Sequence, residues 1–334
     1  MKRASNLIDI IALEENIQMA FYKASKGKKD HEDVIYYAET LYWQIPLLQH
    51  QILNLELDIG HYHFFEVYDP KRRSICAASF PERVLHHAIM NICEPVLDAC
   101  AIYDSYACRK GKGNLKALKR AQKFARQKMY YLKLDIKKYF DSIDHDITLK
   151  LLLRKIKDRD VILMFQSILD TYHTSLGKGL PIGNLISQHL ANYYLNPFDH
   201  WIKEELGIKG YVRYMDDFIL FEDNKTKLKH HLERIHQFLH EKLKLELKHN
   251  IQLNYCSKGF PFLGFRIFPN KIRFTAHSRK RFIKKFKKYE RKWITDEWTT
   301  EELVRHMEPL FAHAKMADTK AFRKDVINRF GVSF

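Results

Sequence analysis

Asp216 and Asp217 lie side by side between two runs of aromatic and β-branched residues, Tyr211-Val212-Arg213-Tyr214 and Phe218-Ile219-Leu220-Phe221. That pattern predicts a β-hairpin with both acids at its tip. Adjacent like charges on a tight turn repel, so the pair is a poor structural choice unless a cation is held there. Mg²⁺ suits such a site, because it takes carboxylate and phosphate oxygens. A third acid, Asp135, closes the apolar run Tyr130-Tyr131-Leu132-Lys133-Leu134. A carboxylate at the end of a buried strand is costly unless it is paired or metal-bound. With Asp135 on a strand beside the hairpin, the three acids would hold two Mg²⁺ ions, with Mn²⁺ as a substitute. Two metals ~3.5–4 Å apart activate an attacking hydroxyl and stabilise the leaving oxygen of an in-line displacement.

Other segments must place these acids. Apolar spacing predicts helices at 5–25, capped by Ser5, and at 32–58, bent at Pro46. Residues 61–68 and 72–77 read as a hairpin turned at Asp69-Pro70. Pro81 opens a helix to about Leu97. The loop 103–113 carries Arg109, Lys110 and Lys112 with Gly111 and Gly113, a composition suited to phosphate approach, although it is not a Walker loop. A basic helix (114–128) precedes the Asp135 strand. Helices follow at 145–156, 159–171 and 185–206, the last after the loop Leu180-Pro181-Ile182-Gly183-Asn184. Beyond the acidic hairpin come a helix at 225–242, a strand at 243–248 and bulged strands at 259–267. Residues 271–292 then hold eleven Lys or Arg and one acid. Phe282, Phe286, Tyr289 and Trp293 form an apolar stripe on that helix, whose basic faces can follow a phosphate backbone. Helices at 300–316 and 319–329 complete the pattern.

The 334 residues carry a net charge of +17 and are 46% hydrophobic, which allows a large core and favours a polyanionic partner. No run reaches the ~18 apolar residues of a membrane span, and no secretory leader is recognisable. Five cysteines without CxxC spacing read as buried thiols of a reduced, intracellular protein. The expected location is the cytoplasm of a prokaryote, in a host- or phage-encoded protein. The histidine pairs His86-His87 and His230-His231 read as core or surface residues.

Five boxes carry a family resemblance. Tyr214-Met215-Asp216-Asp217 is similar to the YxDD box of reverse transcriptases, and the segment from Leu134 to Ile143 resembles their first catalytic block. Pro81-Glu82-Arg83-Val84, Tyr106-Ala107-Cys108-Arg109 and Phe262-Leu263-Gly264-Phe265 resemble their finger and primer-grip blocks, in family order across about residues 60–270. Ile182-Gly183-Asn184-Leu185-Ile186-Ser187-Gln188 departs from the QGxxxSP form of group II intron enzymes. It resembles the IGxxxSQ form of diversity-generating retroelements, with Ile186 where Thr is usual. His313 to Thr319 also resembles a segment of those enzymes, and the length fits them.

The resemblance implies an α+β right-hand polymerase with an antiparallel palm sheet flanked by helices. Its divisions would be an N-terminal helical extension at 1–60, fingers at 61–128, a palm at 129–270 with finger helices at about 145–185, and a small basic thumb at 271–334. Asp135, Asp216 and Asp217 would be the catalytic metal ligands, with the carbonyl of Ile136. Arg109 and Lys110 would meet the incoming triphosphate, and Ile182 and Gly183 would line the dNTP site. Phe140 would be the steric gate against a ribose 2′-OH, unless it is a core aromatic. Lys248 would protonate pyrophosphate, unless it is a solvated strand lysine. Phe262, Leu263 and Gly264 would grip the primer. Arg279, Lys280, Lys284 and Lys287 would contact nucleic acid. Isoleucine at 182 cannot hydrogen-bond as the usual glutamine does, which fits error-prone copying of template adenines.

The implied partners are a structured template RNA, the cDNA/RNA duplex, dNTPs and a small basic accessory protein oligomer, without a membrane. The product would be mutagenised cDNA. Two other readings remain. One is a defence reverse transcriptase acting on a noncoding RNA; the other is a catalytically silent RNA-binding scaffold.

Overall fold

The computed structural model describes residues 3–68 and 72–331, so the expected Asp69-Pro70 turn lies outside the described residues. The first expected helix is two, α1 (Leu7–Ile11) and α2 (Glu14–Ser25). Ser5 does not cap it. The carboxylate of Asp158 does so from far along the chain, accepting from the Leu7 and Ile8 amides at 2.8 and 3.1 Å. Helices α3 (Glu32–Glu39) and α4 (Leu41–Asn54) part at Thr40 rather than at Pro46. The Thr40 hydroxyl donates to the Tyr36 carbonyl at 2.8 Å and closes α3 there. Pro46 is absorbed in the second turn of α4.

Strands β1 (Tyr62–Val67) and β2 (Arg73–Ala78) form the expected antiparallel hairpin. Helix α5 (Phe80–Asp98) carries Pro81 in its first turn, and the Ser79 hydroxyl caps it by accepting from Glu82 N. Next come α6 (Asn114–Gln127), β3 (Tyr130–Asp135), α7 (Tyr139–Ser142), α8 (His145–Leu153) and α9 (Arg159–Asp170). The helix expected over 185–206 is broken into α10 (Leu185–Tyr194), α11 (Asn196–His200) and a π-helical turn at Trp201–Glu205. Pro197 has no N–H to offer Tyr193, so the ladder fails there.

The acidic hairpin is β4 (Gly210–Tyr214) and β5 (Asp217–Glu222), followed by α12 (Lys225–Leu243). Of the strand expected at 243–248, Leu243 ends α12 and 244–248 is irregular backbone with a single bridge between Leu247 and Ile136. The strand in this region is β6 (Gln252–Tyr255), antiparallel to β3. Strands β7 (Phe260–Phe262), β8 (Phe265–Ile267) and the unforeseen β9 (Ile272–Phe274) form a second meander. Helices α13 (Ala276–Ile294), α14 (Thr300–Ala314) and α15 (Lys320–Phe330) follow.

Two units are distinguished. The first comprises Met1–Arg109, Asp135–Gly207 and His231–His249. It is largely helical, with α2 and α10 packed on α5 and α8 packed on α9. The second comprises Lys110–Leu134, Ile208–His230 and Asn250–Phe334. Its main sheet has the order β4-β5-β3-β6, and α6 covers β4 and β5. Phe221 is fully buried between Phe124 and Phe260. The five cysteines are free thiols. Cys76, Cys93 and Cys256 are buried as expected, but Cys100 and Cys108 are partly exposed. Among the described residues no helix is long and apolar enough to cross a membrane.

Candidate active site

The β4–β5 hairpin is rigid by burial. Tyr211, Val212, Phe218, Ile219, Leu220 and Phe221 are all fully inaccessible, and each such side chain stabilises the fold by about 1.5–3 kcal/mol. Tyr214 pairs with Asp217, which leaves Met215 and Asp216 as the two-residue turn. Met215 has φ +56°, an uncommon conformation for a residue with a side chain. Arg213 is fully buried, and its Nη1 donates to the Met215 carbonyl at 3.1 Å. It thus supports the strained turn from within. Sequence reading passed over Arg213, although a lone cation in an apolar strand was a visible signal.

Asp217 opens β5, and Lys133 Nζ on β3 donates to its carboxylate at 2.9 Å. Asp135 ends β3, the strand next to β5 in the sheet order. In the first unit Lys248 Nζ donates to Asp135 Oδ1 at 2.6 Å, and the Lys248 amide donates to the Asp135 carbonyl at 2.8 Å. Lys248, with 38% of its side chain exposed, is therefore paired beside a candidate catalytic acid. Ile136 is fully buried and bridges to Leu247. Among the described residues, no group of three or more His, Cys, Asp or Glu could hold a metal ion as placed. Lysine ammoniums lie at Asp135 and Asp217 instead.

Phe140 is half-buried on α7, edge-on to Tyr139 at 5.9 Å. Its carbonyl accepts from the Leu180 amide at 2.9 Å, which ties it to the Ile182-Gly183 loop. That loop is also fixed to β2. The Cys76 amide donates to the Ile182 carbonyl at 2.8 Å, and the Ala78 amide to Asn184 Oδ1 at 3.0 Å. Gly183 has φ +129°, and a Cβ there would lie 2.8 Å from Ile75 Cγ2 and 2.9 Å from the Cys76 carbonyl. The glycine thus admits β2. Gly183→Ala should destabilise the protein by about 2–3 kcal/mol through strain and overpacking. Chemical denaturation measures this; an unchanged midpoint would contradict the packing argument.

Arg109 turns inward. Its guanidinium pairs with Asp98, and Nη1 donates to the carbonyls of Ile102 and Ser105 at 2.6 and 3.0 Å. It braces the loop, and a triphosphate contact would require giving up these bonds. Lys110 is exposed. At the expected primer grip, Leu263 (φ +50°) and Gly264 (φ +85°) form a two-residue turn between Phe262 and Phe265. Two positive φ values match the twist of a tight hairpin. The Ser278 hydroxyl of α13 donates to the Gly264 carbonyl at 2.6 Å, joining this turn to the basic helix. On α13, Lys280 and Lys284 are exposed, while Arg279 and Lys287 lie over the rings of Phe322 and Phe330.

Residues 69–267 match the family described as Reverse transcriptase (RNA-dependent DNA polymerase). The chain belongs to this family. This reverse transcriptase is 24% identical over 275 residues to protein YkfC of Escherichia coli, covering 67% of this chain and 72% of that one. It is 24% identical over 267 residues to the group II intron-encoded protein LtrA of Lactococcus lactis, covering 59% and 44%. Its fold resembles that of Candida tropicalis telomerase in complex with a fragment of telomeric RNA. That match has a TM-score of 0.51 at 11% identity and covers 80% and 55% of the two chains. The mixed helix and antiparallel-sheet architecture is that of the polymerase fold. The reverse transcriptase thus spans about half the length of LtrA and of the telomerase.

Proposed function

We propose that the chain copies a dedicated template RNA into adenine-mutagenised cDNA for a diversity-generating retroelement, with Asp135, Asp216 and Asp217 as its catalytic carboxylates. The supporting observation is that the chain belongs to the reverse transcriptase family and carries its acid pair on the β4–β5 hairpin, Asp216 in the two-residue turn and Asp217 opening β5. Carboxylate oxygens are the donors Mg²⁺ takes. Bound Mg²⁺ would activate the attacking hydroxyl and offset charge on the leaving oxygen. Asp135 and Asp216 bind it in this proposal, with Asp217 and the Ile136 carbonyl assisting. Lys110 meets the triphosphate, and Phe262-Leu263-Gly264 and the α13 cations hold the duplex. Fingers, palm and thumb divide at about residues 61, 129 and 271.

Phe140 excludes the ribose 2′-OH. Phe140→Ala should raise incorporation of ribonucleotides relative to deoxynucleotides by about 10²-fold, since a steric clash of a few kcal/mol is removed. Competitive single-nucleotide incorporation reads the ratio, and an unchanged ratio would return Phe140 to the core. Ile182 leaves the templating base without a polar partner. Ile182→Gln should lower misincorporation opposite template adenine; equal error frequencies in sequenced products would remove this residue from the fidelity argument.

The basic accessory protein has a fitting surface. Residues 30–58 hold six acids and no Lys or Arg in a chain of net charge +17. Tyr36, Tyr42, Trp43, Leu47 and Leu53 are exposed on α3 and α4. A stretch that combines acids with exposed aromatic residues repels a nucleic acid and suits a basic protein.

Sequencing the RNA that copurifies with the protein, together with its cDNA, tests the subclass. A template–target pair of near-repeats with changes confined to adenines supports the retroelement reading. Faithful copies of one noncoding RNA would replace it with the defence reading.

A further inference from the structure

We propose that the largely helical first unit carries a pocket for a nucleoside phosphate, with the base inside and the phosphate at the mouth. A half-open cavity of about 380 Å³ lies where α5 and α8 end and along α10 and α11. That is within the ~300–1,000 Å³ range of small-molecule sites. Leu151, Tyr193 and Pro197 give it apolar walls, Arg154 and Lys155 line it as well, and no acid does. None of the candidate active-site residues lines it.

Three features point to that ligand. The first is a buried acceptor. Asn196 lines the cavity and is 5% exposed, and its Oδ1 is inaccessible and receives no hydrogen bond among the described residues. Buried acceptors are nearly always paired, so this one calls for a donor from outside the chain. The adjoining cavity that Asn196 also lines, about 20 Å³, has room for a water but not for a ligand. The second is depth. Arg154 is exposed and Lys155 half-buried, whereas Leu151, Tyr193 and Asn196 are buried. The cations therefore stand at the mouth and the acceptor deeper. The third is that the walls are held in place. The Tyr193 hydroxyl donates to the Leu151 carbonyl at 2.8 Å. The ring nitrogens of His200, which also lines the cavity, meet the Glu204 carboxylate at 2.6 Å and the Cys100 carbonyl at 2.9 Å.

Inorganic phosphate would meet the cations and leave the walls and Asn196 unused. A fatty acid would cover the walls and leave Asn196 Oδ1 without a donor. A nucleobase offers a flat face to the walls, an N–H to the acceptor and, through its sugar, a phosphate to Arg154 and Lys155. The nucleotide is either free or an unpaired unit of a bound strand; the chemistry is the same.

The test is calorimetric titration of the full chain, without divalent metal, by AMP and by purine riboside 5′-monophosphate, each also as a single-stranded oligomer, and by inorganic phosphate. The purine form lacks the amine of adenine, so its base has no N–H for Asn196 and should bind about tenfold or more weakly than the adenine form. Asn196→Leu keeps the size of the side chain and should make the two forms bind alike. Arg154→Glu with Lys155→Glu should weaken the adenine form about tenfold or more. Ala99→Trp should do the same, because it crowds the cavity from an exposed position without changing charge. Binding of AMP identifies a free nucleotide as the source, and binding of the oligomer alone identifies the strand. The proposal is overturned if the purine form binds the parent as tightly as the adenine form, a result that needs no variant to fold. It is also overturned if no nucleotide binds, if phosphate alone binds as tightly as the nucleotide, or if folded Ala99→Trp, verified by circular dichroism, binds as the parent does. Primer extension on the same preparations reports the polymerase reading separately, so either can fail without the other.

Discussion

Asp216→Asn combined with Asp217→Asn should lower Mg²⁺-dependent dNTP incorporation by about 10³-fold or more, the scale of losing preorganised charge at a reacting centre. Asparagine keeps the shape of the turn but cannot carry the negative charge that holds a divalent ion. The hairpin itself should survive, because its stability resides in the inaccessible side chains from Tyr211 to Phe221 and not in its acids. One structural cost is expected. Lys133 loses its charged partner at Asp217, in a pair whose side chains are only 15% and 21% exposed. A pair between surface and core should cost about 1–2 kcal/mol. Single-turnover incorporation beside a melting curve separates the two effects. A variant that melts near the parent and still incorporates dNTPs would contradict the assignment of these acids.

Lys248→Ala should lower the single-turnover rate by about 10²-fold or more, the usual range for losing a general acid. The geometry behind this is the 2.6 Å bond from Lys248 Nζ to Asp135 Oδ1 and the backbone bond between the same residues. Together they fix the ammonium beside the acid. Lys248→Arg is the informative control. Arginine preserves the charge and the pairing but does not give up its proton in a protein. If Arg restores the parental rate, Lys248 acts through charge alone. If Arg stays as slow as Ala, proton donation is the role.

The hairpin and the Asp135 strand were legible in the sequence because burial imposes an apolar run on the residues themselves. The ion pairs were not. Lys133 is 84 residues from Asp217, and Lys248 is 113 from Asp135. No local periodicity encodes such meetings. Lys248 could be named only through family resemblance, and its partner only through the structure. Gly183 was expected at the dNTP site, and the groups that approach it closely are Ile75 and Cys76 of β2. The break at Thr40 rather than Pro46 has a local cause. A hydroxyl bond to Tyr36 ended one helix, while the proline fell early enough in the next to be tolerated. Residues 243–248 alternate like a strand, yet Leu243 ends α12, the backbone bonds beyond it go singly to Leu239, Lys137 and Asp135, and the sheet position beside β3 is taken by β6.

The most direct test is primer extension by the purified full chain on an RNA template with Mg²⁺ and dNTPs. The account predicts DNA complementary to the RNA, little product with ribonucleotides, and no product from the Asp216→Asn, Asp217→Asn protein. Tight RNA binding with no incorporation under Mg²⁺ or Mn²⁺ would contradict it and leave a silent RNA-binding scaffold.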